Sequence, residues 1–285
     1  MSAEAASRSD SQKKMVNRVP EVTVFFWVIK ILATTVGETA ADFLNTTLKL
    51  GLTGTTLVMT VFLAIALFFQ FRLKRYVPAV YWLAVVLISI VGTLVTDNLV
   101  DNLGVSLQTT TVIFALALAA TFAAWYASEK TLSIHTIYTS KREAFYWSAV
   151  LFTFALGTAA GDLTAEGLDL GYWKSALVFG VLIGWVYLAH RLFRLNAILA
   201  FWIAYVLTRP LGASAGDFLS QDRDEGGLGL GTVLTSAIFL LAILGVVVYL
   251  TITRKDQAGT IADQPTERAA AGALYDAAGT AHKDA

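Results

Sequence analysis

The 285-residue sequence contains no cysteine, which removes disulfides, thiolate nucleophiles and sulfur-ligated metals from consideration. Charge is scarce as well. Only 15% of residues are charged against 56% hydrophobic, and the mean hydropathy is +0.64. Ordinary soluble domains carry about 25% charged residues, so this composition places the chain in lipid. The three histidines, His135, His190 and His282, have no metal-site spacing. No nucleophile stands with a partnered base, and zinc-protease and kinase patterns are missing. Gly227, Gly229 and Gly231 lack the strand that precedes a phosphate-binding loop. The expectation is a protein that is not an enzyme, with no cofactor indicated, no nucleic-acid partner and the lipid bilayer as its surroundings.

What is present are eight continuous apolar blocks, near 21–44, 54–72, 77–97, 107–127, 144–163, 173–193, 196–217 and 231–252. Each has roughly the 20 residues that a helix needs to cross a hydrocarbon core. A membrane β-barrel would show short alternating segments instead. The formal net charge of zero conceals an asymmetry. One set of ends carries Lys13, Lys14, Arg18, Arg72, Lys74, Arg75, Lys130, Lys141, Arg142, Arg191, Arg194, Arg254 and Lys255. The opposite loops hold only Lys49, Lys174 and Arg223, together with Asp101, Glu166, Asp169, Asp222, Asp224 and Glu225. By the positive-inside rule both termini are expected in the cytoplasm. No cleaved signal peptide is read in the polar N-terminus. Segments 1–19 and 254–285 are expected to be cytoplasmic tails, the second disordered, around a membrane domain over 20–253.

The odd-numbered spans share one register: Trp, then Gly ten positions later, then Asp five after that. The instances are Trp27/Gly37/Asp42, Trp82/Gly92/Asp97, Trp147/Gly157/Asp162 and Trp202/Gly212/Asp217. Four repeats follow, about 20–75, 76–128, 144–194 and 195–253, with a cytoplasmic loop at 129–143. All four motif helices run in the same direction, which predicts pseudo-symmetry about the membrane normal rather than inverted repeats. The fold expected is all-α, with eight transmembrane helices as four tandem hairpins.

Each motif position has its own physical reading. The tryptophans suit the interfacial belt, and the glycines suit close helix packing, as do the pairs Gly157/Gly161 and Gly180/Gly184. The aspartates are costly at the membrane boundary, and they stand near helix C-termini where the macrodipole disfavours negative charge. Something should compensate them: a cation, a basic side chain, an indole N–H or backbone donors near Thr55, Thr109 and Thr232. Alternatively, each Asp ties its own hairpin together.

Residues four apart share a helix face, so Lys30, Thr34, Glu38 and Asp42 form a polar stripe. Ser89, Thr93, Asp97 and Asp101 form another, as do Thr158, Asp162 and Glu166, and Arg209, Asp217 and Gln221. The odd helices should therefore surround a polar interior, with the even helices towards lipid. Pro210 should kink its helix and free carbonyls. Glu38 and the four aspartates outnumber Lys30 and Arg209, so protons or hard cations are expected to balance the interior. The other use of these charges is structural, Lys30 pairing with Glu38 and Arg209 with an aspartate.

The stretches KILATTVGETAADFL (Lys30 to Leu44), SIHTIYTSKREAFYWSAVLFTFALGTAAGD (Ser133 to Asp162) and FWIAYVLTRPLGASAGDF (Phe201 to Phe218) resemble a bacterial membrane-protein family. That family has four tandem two-helix repeats with a signature tryptophan and is described as a repeat of unknown function. The resemblance covers about residues 18–253 and implies the architecture without an activity. Repeat two departs most, with Leu94 and Val95 where repeats one and three have small or polar residues.

Function is therefore expected from the residues. A cation or small-solute permease would place Asp42, Asp97, Asp162 and Asp217 as an acidic ring with Glu38 deeper, and Lys30 and Arg209 as internal counter-charges. A non-transporting scaffold would use the loop around His135 as its partner surface. A receptor would bind an anionic ligand at Lys30 and Arg209.

Overall fold

A computed structural model describes residues 17–48 and 51–257. Lys13, Lys14, Lys49, His282 and the tails 1–16 and 258–285 lie outside the described residues. The chain forms α1 (Val24–Leu48), α2 (Gly51–Arg72), α3 (Pro78–Asp97), α4 (Leu107–Glu129), α5 (Ser140–Asp162), α6 (Tyr172–Phe193), α7 (Ala197–Ser220) and α8 (Thr232–Thr253). All eight are long and apolar enough to cross a membrane, and no strand occurs among the described residues. A π-helical turn extends α3 over Asn98–Asn102 and α5 over Leu163–Gly167.

Local chemistry sets the ends. Pro78 occupies the first turn of α3, where its missing N–H costs nothing. Ser106, Thr139 and Asn196 cap α4, α5 and α7 by accepting backbone N–H bonds. The outer helices α4, α6 and α8 each stop at a basic residue in the left-handed conformation, Lys130, Arg194 and Arg254. Those charges favour the negative pole of each helix dipole. Pro210 lies inside α7, which stays helical on both sides of it.

The inner helices close a ring: α1 packs on α3, α3 on α5, α5 on α7, and α7 back on α1. The glycines make this possible. A Cβ on Gly37 would stand 1.7 Å from Ser89 Oγ, on Gly92 2.8 Å from Phe154 Cβ, on Gly157 2.2 Å from Arg209 Cγ, and on Gly212 2.4 Å from Thr34 Cγ2. Every repeat's glycine thus meets the residue three positions before the next repeat's glycine, and repeat four meets repeat one. A cyclic pseudo-fourfold arrangement is the only order in which this contact closes. Gly180 and Gly184 do not behave this way. Gly180 meets only Leu211 at 4.0 Å and Gly184 has nothing within 4 Å, because α6 is an outer helix.

The outer helices are displaced by one repeat. Helix α2 lies mainly on α3, α4 on α5, α6 on α7 and α8 on α1. The four hairpins are therefore hairpins in connectivity more than in packing. The inner spans are 61%, 72%, 61% and 44% buried in chain order, the outer ones 22%, 17%, 6% and 28%. Phe62, Phe69, Leu116, Trp185 and Leu241 are exposed on the outer helices and face lipid.

The tryptophans require a second correction. Trp82, Trp147 and Trp202 are buried and Trp27 is half-buried, so they do not form an interfacial belt. They turn inward into an aromatic cluster: Trp82 against Phe26 and Tyr81, Trp147 against Tyr81 and Tyr146, and Trp202 against Phe122, Trp125 and Tyr205. Trp202 Nε1 donates to Leu132 O at 2.9 Å. In a ring of inner helices the outer layer takes up the lipid contact, and the large amphipathic rings fill the interior at the basic end.

The packed region also extends past the expected boundaries. Asn17 is buried and bonds Ile134 O and Ile137 N, and Asp256 is buried and accepts the Tyr76 hydroxyl.

Candidate functional site

The inner faces stack side chains at four-residue intervals, the near-repeat of an α-helix. One position after each glycine come Glu38, Thr93, Thr158 and Ala213, all buried. Four positions further come Asp42, Asp97, Asp162 and Asp217. Towards the basic end, three before the glycines, stand Thr34, Ser89, Phe154 and Arg209, and four before those stand Lys30, Val85, Val150 and Tyr205.

Glu38 and the four aspartates line one cavity of about 170 Å³ that opens at the acidic face. Asp101 and Glu166 stand at its mouth with Asn45 and Gln221, so seven carboxylates and, among the described residues, no basic side chain line it. One carboxylate oxygen each from Glu38, Asp162 and Asp217, on three different inner helices, lies within 4.8 Å of the other two. A single ion with metal–oxygen bonds of about 2.4 Å spans oxygens up to about 4.8 Å apart, so the group fits one hard cation. Asp97, Asp162 and Asp217 take no side-chain hydrogen bond or ion pair from the described residues. The indole and helix-start donors considered from sequence do not reach them: Thr109 N is spent on Ser106 Oγ, and Trp147 and Trp202 point elsewhere.

Arg209 lies behind the cavity's Glu38. It is fully buried, and its Nη2 donates to Glu38 Oε2 at 3.0 Å, to Thr158 Oγ1 at 2.7 Å and to Thr93 Oγ1, while Nη1 donates to Thr34 O at 3.1 Å. Thr93 also donates to Glu38 Oε2 at 3.3 Å. The ion pair expected between Arg209 and an aspartate is thus made with Glu38. Lys30 does not pair with Glu38. Its Nζ lies 4.2 Å and 4.3 Å from the ring centres of Phe154 and Tyr205. Both partners differ from expectation because Arg209 reaches across the ring to α1, filling the place a lysine on α1 would need.

At the opposite end a buried carboxylate stands outside the sequence-derived set. Glu143 is fully buried, and Arg18 Nη1 donates to its Oε2 at 2.6 Å while Gln70 Nε2 donates to Oε1 at 2.9 Å. Its one sequence signal is its place four residues before Trp147, on the inner face of α5. With Arg18 bonded through its backbone to Ile137 and Tyr76 bonded to Asn17, this network draws the N-terminal segment across the base of the bundle. Burial raises the carboxyl of Asp256 above its usual range, opposed by the hydroxyl that Tyr76 donates; burial and the Asp256 partner raise Tyr76. Removing one member of a buried ion pair typically costs about 3–5 kcal/mol because the other charge is left unpaired. Arg18→Met should therefore lower the melting temperature of the purified protein markedly. Arg18→Met/Glu143→Leu should recover most of the loss, and an equally low melting temperature in both would remove the pair as a fastening.

His135 sits in the exposed loop beside Glu21, with 3.2 Å between Nδ1 and the carboxylate, and His190 Nδ1 contacts Leu195 O. Neither joins the interior. The motif glycines and tryptophans serve ring closure and the aromatic base respectively.

The profile described as Repeat of Unknown Function (DUF347) matches residues 25–76, 80–131, 145–195 and 200–256. The chain belongs to this family. Each matched repeat holds one inner and one outer helix, so the repeat of the family is the unit that contributes one glycine contact and one cavity aspartate. The gap between the second and third repeats falls on the loop carrying His135. No curated protein and no solved structure matches the chain.

Proposed function

We propose that this repeat-family protein is a cation permease of the bacterial cytoplasmic membrane, with the acidic cavity as its loading site and no enzymatic activity. The observation that carries the reading is the convergence of Glu38, Asp162 and Asp217 from three repeats within 4.8 Å, in a cavity that no basic side chain among the described residues lines. Carboxylates so crowded at a membrane boundary repel one another, and an entering cation offsets that repulsion. Oxygen donors of this kind favour hard cations. Basic residues at the ends opposite the cavity support both termini lying in the cytoplasm and the cavity facing outward.

Arg209 is the built-in competitor for this site. A cation that takes Glu38 displaces the guanidinium and frees the Thr93 and Thr158 hydroxyls, so loading and the position of Arg209 are linked. Arg209→Met leaves Glu38 buried without its partner, at a cost of about 3–5 kcal/mol. The expected result is a variant with a lowered melting temperature that Mn²⁺ restores, and with Mn²⁺ affinity raised about tenfold or more. Unchanged affinity would separate Arg209 from the cation site.

The decisive test is uptake of Mg²⁺, Ca²⁺, Mn²⁺ and Na⁺ by proteoliposomes containing wild type, Asp42→Asn or Asp162→Asn. Equal flux in all three would sink the acidic-ring mechanism. A non-transporting scaffold is the second reading, favoured by the closely packed aromatic half below Arg209; it predicts cation binding without flux. A receptor for an anion is disfavoured, since an anion reaching Arg209 or Lys30 from the cavity passes seven carboxylates.

A further inference from the structure

Below the Arg209–Glu38 pair lies a second positive group that the cation site does not use. Lys30 is fully buried on the same face of α1 as Glu38, about two turns nearer the basic end. Its Nζ is sandwiched between the rings of Phe154 and Tyr205, and its one hydrogen bond, at 3.5 Å, goes to Thr34 Oγ1. No carboxylate among the described residues lies within ion-pairing distance of it. Glu38, on its own helix, is held by Arg209. A desolvated cation–π contact is worth about 2 kcal/mol, less than the several kcal/mol that burying an unpaired ammonium costs. A lysine so placed is suited to exist both with and without its proton.

A second observation gives that proton a direction. Tyr205 is fully buried, and its hydroxyl stands next to that of Tyr146. Tyr146 and Tyr81 are also fully buried and their hydroxyls bond each other. Tyr76 packs on Tyr81 with ring centres 5.5 Å apart and donates to Asp256 at the basic face. A hydroxyl both donates and accepts, so such a run passes a proton once its hydroxyls rotate into line, those of Tyr146 and Tyr81 being already bonded to each other. The same half also holds buried Trp82, Trp147 and Trp202.

We propose that Lys30 is a proton-holding site of the pathway, loaded from the acidic cavity and emptied towards the basic face through Tyr205, Tyr146, Tyr81 and Tyr76. The amine lone pair takes a proton from hydronium entering by way of the cavity, which leaves as water, and the amine becomes ammonium. The ammonium then passes one proton to a tyrosine oxygen as that hydroxyl gives its own to the next. Only N–H and O–H bonds form and break, each tyrosine ends neutral, and the net transfer is one proton. The charged and titratable groups facing this site are Arg209 and Tyr205 from α7, then Tyr146 from α5 and Tyr81 from α3. Helix α8, packed on α1, contributes only Tyr249, which is occupied with Phe25 and Lys255.

The inference rests on reading the cavity as a cation site for its coupling. Cation binding at Glu38 sends Arg209 towards Lys30 and expels the proton, whereas a protonated Lys30 holds Arg209 on Glu38. Cation and proton then exchange.

The test uses full-length protein in vesicles with a trapped pH dye and an imposed membrane potential, alongside Mn²⁺ binding measured separately. Wild type is expected to pass protons and to bind Mn²⁺. Lys30→Met, which removes an unpaired charge and keeps the side chain's length, should lower proton flux about a hundredfold while Mn²⁺ still binds. Lys30→Arg, permanently charged, should block flux equally and weaken Mn²⁺ binding, and it decides the matter if Lys30→Met does not fold. Wild-type proton flux in the lysine variants overturns the proposal, as does a wild type that binds Mn²⁺ and passes no protons. Lys30-dependent proton flux without Mn²⁺ binding supports Lys30 and removes the cation site instead.

Discussion

Replacing Asp162 and Asp217 together by asparagine is expected to weaken Mn²⁺ binding between about a hundredfold and ten-thousandfold, since each charged ligand contributes about 1.5–3 kcal/mol. The two carboxylates supply two of the three oxygens that converge with Glu38, and neither has another described partner to which the loss would spread. Asparagine keeps the shape and one acceptor oxygen and removes only the charge. The same change relieves repulsion in the empty cavity, so the double variant should melt at or above the wild-type temperature in the absence of cation. The two readouts move in opposite directions, and a misfolded variant would lose both. Wild-type affinity in a well-folded double variant would show that the convergence of carboxylates binds nothing, and the cavity would then be a structural vestibule.

Gly157→Ala is expected to be strongly destabilising, costing about 3 kcal/mol or more. The added Cβ would stand 2.2 Å from Arg209 Cγ, 2.4 Å from Arg209 Cβ and 3.0 Å from Pro210 Cδ. Side chains usually relieve such overlap by rotating. Here Arg209 is fastened by four hydrogen-bond contacts, one from Nη1 and three shared by Nη2, to α1, α3 and α5, and the adjacent proline ring restricts the backbone of α7. The overlap therefore passes into the α5–α7 contact and into the Arg209–Glu38 pair. A lowered melting temperature, together with altered Mn²⁺ affinity, is the expected signature. Gly184→Ala, at a position with nothing within 4 Å, should leave both unchanged. Equal behaviour of the two variants would mean that the inner ring does not depend on backbone approach at Gly157.

Some of this was legible before any fold was known. The Trp–Gly–Asp register disclosed four repeats, and the spacing of Lys30, Thr34, Glu38 and Asp42 placed them on one face, because both are properties of a single helix. The excess of acids on that face pointed to one acidic interior. Other features were hidden for a reason particular to membranes. Lipid and protein core are both apolar, so hydrophobicity does not tell an inward tryptophan from one at the interface. The choice depends on how each helix is rotated in the ring. Trp82, Trp147 and Trp202 accordingly turned out to face the interior.

Partners across the ring were hidden more deeply. Arg209 meets Glu38 because α7 closes back onto α1, a contact between residues 171 apart in sequence. That closure leaves Lys30 with aromatic faces in place of a carboxylate, and the same long-range geometry brings Arg18 to Glu143. Sequence alone determined the repeat, the spans and which residues share an inner face, since helical periodicity is local and acts within each segment. Tertiary structure alone decided the ring order, the one-repeat displacement of the outer helices and the pairing of the buried charges. Those depend on which helices approach closely, and that is set by glycine contacts between segments distant in the chain.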